Sequence, residues 1–193
     1  MLAALSVQTT EEENQRRRRE LDRLLLQVGR GDRDAFARLY VQTRGAVYAL
    51  ALSLLHDAHE AQDVAQDAFI KVWESAPSYR PQGSPMAWLL TIARNLSRSR
   101  LRQSGRQAEL DEEEWNSLPE ENPEISPEDR AVLQEALAQL EAEERRIVLL
   151  HAVTGLKHRE IAALLERPLS TVLSKYHRGL KKLRALMKGE SGQ

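Results

Sequence analysis

Apolar residues recur along the chain at the three- and four-residue intervals of an α-helix. One long segment shows this clearly, with apolar positions at Phe36, Leu39, Tyr40, Val47, Leu50, Ala51, Leu54 and Leu55. No stretch alternates Val, Ile or Thr in the period of two that marks a β-strand. The pattern therefore predicts an all-α protein.

A proline-rich acidic segment interrupts the helical pattern. The stretch AELDEEEWNSLPEENPEISPED contains Pro119, Pro123 and Pro127, and prolines at this density exclude a helix interior. We expect an extended, flexible linker there, between two small helical domains. The predicted parts are an N-terminal extension (1–27), a first helical domain (28–106), the acidic linker (107–129), a second helical domain (130–188) and a tail (189–193).

Capping and turn signals divide the first domain. Asp57 is a predicted N-cap, with Glu60 three residues later as in a capping box, and Pro77 ends the helix that Asp57 begins. The loop SYRPQGS follows, and its proline and glycine prevent regular structure. A further helix starts within AWLLTIARNLSRSRLRQ, residues 87–103.

This last helix has one apolar face and one basic face. Its apolar positions are Leu89, Ile92, Ala93 and Leu96. The opposite face carries Arg94, Arg98 and Arg102, one turn apart, with Asn95 and Ser99 beside them. The whole chain has 28 basic and 29 acidic residues, so the arginines mark a local surface for an anionic partner such as nucleic acid. Arg100 falls back near the apolar side, so we expect the helix to loosen or to leave the core there.

The second domain ends in a predicted helix-turn-helix. KHREIAALLE is a short helix, RPLS a tight turn, and the next helix is expected to be capped by Ser170. That helix would present a basic face to duplex DNA, although an amphipathic helical hairpin rich in lysine gives a similar pattern. The candidate contacts to phosphates or bases are Ser170, Thr171, Leu173, Ser174, Lys175, His177, Arg178, Lys181 and Lys182.

Other classes of site find little support. The chain has no cysteine, which excludes disulfides and thiolate ligands. His56 and His59 are three residues apart rather than four as in a zinc-binding H-E-x-x-H helix, so we predict no metal or cofactor. Paired catalytic carboxylates, a nucleophile elbow and a phosphate loop are missing, so we expect no enzyme. No apolar run reaches the ~18 residues that span a bilayer, and we expect a cytoplasmic protein without membrane insertion.

The two blocks together resemble an extracytoplasmic-function (ECF) sigma factor of the sigma-70 family, the promoter-recognition subunits of bacterial RNA polymerase. The order DVAQDAFIKVW, then Gly-Ser, then AWLLTIARN is similar to sigma region 2. The stretch REIAALLERPLSTVLSKYHRGLKKLR is similar to region 4. The resemblance implies a transcription-initiation function, with a region 2 helical bundle and a region 4 helix-turn-helix. It also implies core-polymerase contacts from Asp63, Gln66, Asp67, Phe69, Ile70 and Trp73.

The resemblance also implies DNA contacts. Region 2 would bind the melted promoter −10 element through a specificity loop and the arginine-rich helix, with contacts from Tyr79, Arg80, Gln82, Ser84, Arg94, Asn95, Arg98, Ser99 and Arg102. The helix from Ser170 to Lys182 would bind the duplex −35 element. Two positions depart from the family pattern: Glu166 replaces a common turn glycine, and Leu173 replaces a common basic residue.

Several alternatives remain open. The linker is either a solvated tether or a segment that enters a polymerase channel, and Trp115 within it suggests docking on a partner. Arg16 to Arg19 form either a solvated helix face or an extra contact. Such factors commonly have an anti-sigma partner and join the nucleoid with polymerase. A helix-turn-helix regulator acting without polymerase is the alternative function, and the sequence specifies neither the promoter nor the inducing signal.

Overall fold

A computed structural model of the chain describes residues 2–104 and 135–189, with side chains for 12–104 and 135–186. These residues contain only helices and turns, which confirms the all-α prediction. The predicted linker and Trp115 lie outside them. The helices are α1 (Leu2–Val28), α2 (Arg33–Leu55), α3 (Ala58–Ser75), a 3-10 turn (Ala76–Ser78), α4 (Pro85–Gln103), α5 (Ala142–Thr154), α6 (His158–Leu165) and α7 (Leu169–Gly189). Residues 135–138 form a further helical turn before α5.

Side-chain caps begin three of the first four helices. The backbone amide of Ala35 donates to Asp32 at 2.9 Å, that of Glu60 to Asp57 at 2.9 Å, and that of Ala87 to Ser84 at 3.3 Å. Each cap satisfies an amide that has no partner within its helix. The prediction that Asp57 begins a helix is confirmed.

Helices α1–α4 form one unit, here called the N-terminal bundle. Leucines with no exposed surface fill its centre, from α1 (Leu24, Leu25), α2 (Leu39) and α4 (Leu89, Leu90). Helix α1 runs without interruption across the expected boundary at residue 27. Its last two turns therefore belong to the packed core of the bundle.

Residues 135–189 form the C-terminal bundle, in which α7 packs along α5 and α6. Charged side chains lie within this bundle: Glu144 has no exposed surface, and Arg145 and Arg146 are below 9%. Arg145 donates to the carbonyls of Leu137 at 2.7 Å and Leu140 at 3.0 Å. It thereby joins α5 to the turn that precedes it.

The start of α7 differs from the prediction. The helix begins at Leu169, and the amide of Val172 donates to the carbonyl of Pro168 at 3.2 Å. Ser170 is therefore already inside the helix, and its predicted role as N-cap is wrong. The fixed backbone angle of proline suits the entry to a helix, which moves the start towards Pro168.

The two bundles pack against each other in this structure. Helix α2 contacts α5, and α4 contacts α6. Ile147, Leu150, Leu156 and Ile161 of the C-terminal bundle belong to the same buried apolar cluster as the leucines of the N-terminal bundle. Among the described residues, no helix combines the length and the apolar character that a membrane crossing requires.

Candidate nucleic-acid interface

Helix α4 has the two faces that its sequence predicts. Leu89, Leu90 and Ala93 are fully buried, which fixes the rotation of the helix against the bundle. On the other side Asn95, Arg98 and Arg102 are exposed, Ser99 is half-buried, and Arg94 has a side chain that is 14% exposed. The basic residues thus share a surface, although Arg94 is largely covered.

The cover over Arg94 comes from the C-terminal bundle. Its Nη1 donates to the carbonyl of Leu164 at 2.6 Å and to that of Ala163 at 3.4 Å. Its Nη2 donates to the Asn95 side chain at 3.2 Å. Leu164 and Ala163 lie in the last turn of α6, where carbonyls lack partners within the helix and attract cations. Arg94 therefore acts as a cap for α6 from another bundle.

Glu166 lies directly beyond α6 and contacts the same arginines. Its Oε1 is 3.2 Å from Arg94 Nη2, and its Oε2 accepts a hydrogen bond from Arg98 Nη1 at 2.7 Å. The hydrogen bond from Arg98, followed by the charge of Arg94, lowers the pKa of the Glu166 carboxyl. Its backbone is left-handed, with φ 54° and ψ 44°, a conformation that favours glycine. The turn of the helix-turn-helix is therefore joined to the arginine face.

Arg100, which the sequence places near the apolar side of α4, has a partner on α3. Its Nη2 lies 3.2 Å from a carboxylate oxygen of Asp63. Both side chains are partly exposed. The pair links the helix proposed to bind polymerase with the helix proposed to bind DNA.

The loop before α4 contains both buried and exposed candidates. Tyr79 is only 3% exposed, stacks edge-on against Trp88 and donates its hydroxyl to Asp22. Burial, followed by that hydrogen bond, raises the pKa of Tyr79. Arg80 and Gln82 are exposed, and Ser84 caps α4. In this conformation only Arg80 and Gln82 of these four are open to a ligand.

The candidate polymerase residues on α3 fall into two layers. Asp63, Gln66, Asp67 and Ile70 are exposed, and Ile70 retains 59% of its surface. Phe69 and Trp73 lie beneath them, edge-on to the ring of Phe36. Phe69 and Trp73 therefore support the surface from below.

Two further apolar residues next to this surface were not singled out as site candidates from the sequence. Tyr40 and Val41 on α2 are 40% and 68% exposed, and the Tyr40 ring lies 4.8 Å from that of Phe69. Tyr40 occupies a helical apolar position, so periodicity places it in the core. Only the packing of α2 on α3 shows that Tyr40 lies exposed beside the α3 surface.

The basic residues of α7 pair with acids at the N-terminal end of α5, including its N-cap Glu141. Lys175 lies 2.6 Å from Glu141 and 2.9 Å from Glu143. Burial alone would lower the pKa of Lys175, but its hydrogen bonds to these two carboxylates give a net increase. Lys182 and Arg178 lie 2.7 Å and 3.6 Å from Glu144. These pairs hold α7 on α5.

The remaining candidates on α7 differ in accessibility. Thr171 and Leu173 are half-buried. The exposed ones are Ser170, Ser174, His177 and Lys181. They are the members of the predicted set that are most open to a duplex in this conformation.

Comparison with known families gives two matches. The model for sigma-70 region 2 matches residues 39–107, and a model for sigma-70 region 4 matches residues 130–183. The first spans most of α2 and all of α3 and α4, and the second spans α5, α6 and most of α7. The arginine face and the helix-turn-helix therefore fall within separate matched regions.

Curated relatives match over most of the chain. An ECF RNA polymerase sigma factor SigK of Mycobacterium ulcerans (strain Agy99) is 35% identical over 172 residues, covering 86% of this chain and 92% of that protein. The ECF sigma factor SigK of Mycobacterium sp. (strain KMS) is 33% identical over 173 residues, covering 86% and 89%.

Solved structures also match. CnrH in complex with the cytosolic domain of CnrY aligns with a TM-score of 0.56 at 25% identity, covering 88% of this chain and 98% of that one. The sigma factor RpoE of Bartonella quintana, in complex with the anti-sigma factor NepR, aligns with a TM-score of 0.54 at 26% identity, covering 79% and 96%.

Proposed function

Because the chain belongs to the ECF sigma factors of the sigma-70 family, we propose that its two bundles divide the recognition of a promoter. The protein is an RNA polymerase sigma factor, and its partners are core polymerase and promoter DNA. The N-terminal bundle would bind polymerase and the melted −10 element. The C-terminal bundle would bind the duplex −35 element.

The observation that carries the −10 assignment is the polar face of α4. Asn95, Arg98 and Arg102 are exposed on a helix whose other side is anchored by fully buried leucines. A basic track suits the phosphates of a single strand, and an adjacent loop suits an extruded base. Arg80 and Gln82 of the preceding loop are exposed beside it. We assign the phosphate contacts to the arginines and a base contact to Asn95.

The polymerase contact is assigned to the outer layer of α3. Exposed carboxylates and amides at Asp63, Gln66 and Asp67 adjoin the exposed Ile70. Mixed apolar and polar surfaces of this kind are typical of protein interfaces. We add Tyr40 and Val41 of α2 to this surface, because their exposed apolar area needs a partner.

The −35 contact is assigned to the N-terminal half of α7, where a recognition helix meets base edges. Ser170 and Ser174 are exposed there, and His177 and Lys181 follow on the exposed side. Lys175, Arg178 and Lys182 would exchange acidic partners on α5 for phosphates. Because each of these three residues must first give up its acidic partner, we expect it to contribute less to DNA affinity than Lys181.

Three further properties are proposed from the family. Both solved neighbours are complexes, one of them with an anti-sigma factor, and we propose that an anti-sigma protein restrains this chain too. A polymerase subunit of this kind would act in the cytoplasm and join the nucleoid when bound to polymerase. It would itself catalyse no reaction, because the polymerase supplies the chemistry.

Transcription directed by purified core polymerase tests the proposal. With a pool of genomic promoters, the wild-type protein should direct specific initiation, whereas failure on every promoter would contradict the assignment. The Asn95→Ala variant should lose promoter opening and keep its affinity for polymerase. Arg38→Ala is the control, since Arg38 is exposed on α2 outside the arginine face. Loss of polymerase binding by Asn95→Ala would overturn the role given to Asn95.

The same purified proteins distinguish the sigma factor function from the alternative function. A helix-turn-helix regulator acting without polymerase is not favoured, because sigma-70 region 2 matches residues 39–107. Such a regulator would bind duplex DNA equally well with and without polymerase. Lys181→Ala should weaken DNA binding at all sequences and reduce the salt slope by about one unit if Lys181 contacts a phosphate. An unchanged slope would place Lys181 outside the interface.

A further inference from the structure

Among the described residues, three arginines donate hydrogen bonds across the interface to backbone carbonyls, each at the C-terminal end of a helix in the other bundle. Arg17 Nη1 donates to Val153 of α5 at 3.0 Å, and Arg94 Nη1 donates to Leu164 of α6 at 2.6 Å. Arg146 Nη2 of α5 donates to Ser53 of α2. Carbonyls at a helix end lack partners and carry the negative end of the helix dipole. Arginines of one bundle thus supply hydrogen bonds to the terminal carbonyls of helices in the other.

All three of these helices end in a left-handed residue. The residues are His56 after α2 (φ 54°), Gly155 after α5 (φ 68°) and Glu166 after α6 (φ 54°). A Cβ atom added at Gly155 would lie 2.7 Å from the side-chain oxygen of Asn14, so α1 approaches this helix end closely. The interface is therefore built from specific contacts in addition to shared apolar packing.

Glu166 is the residue of this interface that connects it to the proposed DNA site. A left-handed glutamate is a strained choice, and strain of this kind is retained where the surroundings use it. Its two carboxylate oxygens contact Arg94 and Arg98. A carboxylate bridging two arginines satisfies the same groups that a phosphate would.

We propose that the free protein is held closed by this interface, and that Glu166 is an internal competitor for the −10 strand: it occupies Arg94 and Arg98 until the C-terminal bundle moves away. The inference rests on the proposed function, which assigns these arginines to DNA. In the closed protein, Arg94 and Arg98 are withheld from single-stranded DNA.

Promoter geometry requires the bundles to separate. The −10 and −35 elements lie about 25 base pairs apart, which is roughly 85 Å of duplex at about 3.4 Å per pair. The recognition helix begins at Leu169, three residues after Glu166, and so lies within about 11 Å of it at 3.8 Å per residue. With Glu166 on the arginines, one molecule cannot reach both elements.

The chain is long enough for this separation. Residues 105–134 connect the bundles, and a fully extended chain of that length spans roughly 100 Å at about 3.3–3.6 Å per residue. Opening therefore needs no change within either bundle. It needs only the loss of the contacts between them.

The ionic part of the closure is weak enough to be reversed. Glu166 is 51% exposed and Arg98 46% exposed, and exposed ion pairs contribute modestly to stability. Removing the carboxylate charge should shift the balance between closed and open forms by about three- to tenfold. Arginines that cap backbone carbonyls would retain part of the closure.

Closure is measured by energy transfer between two dyes on the full chain. The protein has no cysteine, so cysteines introduced at the exposed positions Ala58 and Ala185 label the two bundles. The wild-type protein should show high transfer, and Glu166→Gln should lower it. Glu135→Gln, which removes the same charge from an exposed site of the C-terminal bundle, should not. Low transfer in the wild-type protein would overturn the inference.

Exchanging the two charges tests the Glu166–Arg98 pair by itself. Glu166→Arg and Arg98→Glu should each lower the transfer, and the double variant should recover it, because the attraction is restored with opposite signs. Helical circular dichroism verifies that every variant folds. Additive loss in the double variant would contradict a direct Glu166–Arg98 contact.

A single-stranded oligonucleotide, used without polymerase, separates this inference from the proposed function. Glu166→Gln should bind it about three- to tenfold more tightly than the wild-type protein, and Arg98→Gln should bind it more weakly. If transfer is high but neither variant changes the affinity for DNA, the closed state stands and Arg98 does not bind DNA. Glu166 would then not compete with DNA. Low transfer with weaker binding by Arg98→Gln would reject closure alone.

Discussion

The two bundles of this chain are stabilised in different ways. In the N-terminal bundle the fully buried side chains are mainly leucines, and its buried polar residues are the neutral Thr43, Ser53 and Ser97. Each of these three hydroxyls donates to a carbonyl three or four residues earlier in its own helix. In the C-terminal bundle Glu144, Arg145 and Arg146 are buried with their charges.

The difference follows from what each bundle must expose. Helix α7 carries the basic residues proposed for duplex DNA, and the acids of α5 hold it in place through Lys175, Arg178 and Lys182. The inner side of helix α4 is instead anchored mainly by apolar packing. The C-terminal bundle is the smaller of the two, and a smaller unit buries a smaller fraction of its surface. We therefore expect the N-terminal bundle to respond most to lost packing and the C-terminal bundle to lost hydrogen bonds and to pH.

Loss of packing in the N-terminal bundle should have the largest effect. Leu89→Ala removes a side chain with no exposed surface and should lower the free energy of unfolding by about 2–5 kcal/mol. Chemical denaturation followed by circular dichroism measures it. Leu186→Ala, at a 39% exposed position of α7, should cost less than about 1 kcal/mol. Equal losses would show that the leucine core is not the main support.

Loss of a buried charge in the C-terminal bundle should come next. Arg145→Met keeps much of the side-chain volume and removes the donors to the carbonyls of Leu137, Ala138 and Leu140. We expect a loss of about 2–3 kcal/mol, since these carbonyls lose the hydrogen bonds that the buried guanidinium donates. Thermal unfolding of Arg145→Met and of the exposed control Arg184→Met gives the comparison. If Arg145→Met leaves the thermal stability unchanged, apolar packing is sufficient to stabilise this part of the bundle.

A smaller effect should separate two replacements of Glu166. Glu166→Gly and Glu166→Gln both remove the charge that contacts Arg94 and Arg98, but only glycine accepts φ 54° without strain. The glycine variant should be more stable than the glutamine variant by about 1 kcal/mol. Denaturant midpoints measure the difference. Equal stability would show that the left-handed turn is not strained.

The smallest effect should be a pH dependence of the C-terminal bundle. Burial, followed by the charges of His151 and His177, lowers the pKa of His158 below its ordinary 6.5; its ring stacks on His151 and meets Tyr176 edge-on. The unfolded chain therefore binds the proton more readily, and stability falls as pH drops below about 6.5. Melting temperatures between pH 8 and 5 measure the slope. His158→Gln should flatten it, and an unchanged slope would exclude His158 as the source.

Local features of the fold could be predicted from the sequence. The apolar spacing from Phe36 to Leu55 and the Asp57 cap correspond to α2 and to the start of α3. Gly155 ends α5, with φ 68°, as is common for glycine at a helix C-terminus. These features depend on residues close together in the chain, where spacing carries the information. Ser170 misled because serine is favoured at caps, while the neighbouring Pro168 determined the helix start.

Contacts between distant residues could not be predicted in this way. Arg100 pairs with Asp63, and Arg94 with the end of α6, but no periodicity links residues separated by tens of positions. The polar face of α4 was predicted, whereas its cover was not, because that cover belongs to another bundle. The pair of the buried Glu144 with the partly exposed Lys182 was missed for the same reason.

The arginine caps between the bundles have a consequence for sequence variation. Their acceptors are the backbone carbonyls of Ser53, Val153 and Leu164, and every residue type carries such a carbonyl. Substitutions of these three side chains would leave the acceptor atoms in place, provided the helix end keeps its shape. The specificity of the contact is therefore encoded on the donor side, in three arginines. Relatives could therefore vary the exposed Val153 and still keep this contact, whereas Ser53 and Leu164 are buried and constrained by packing.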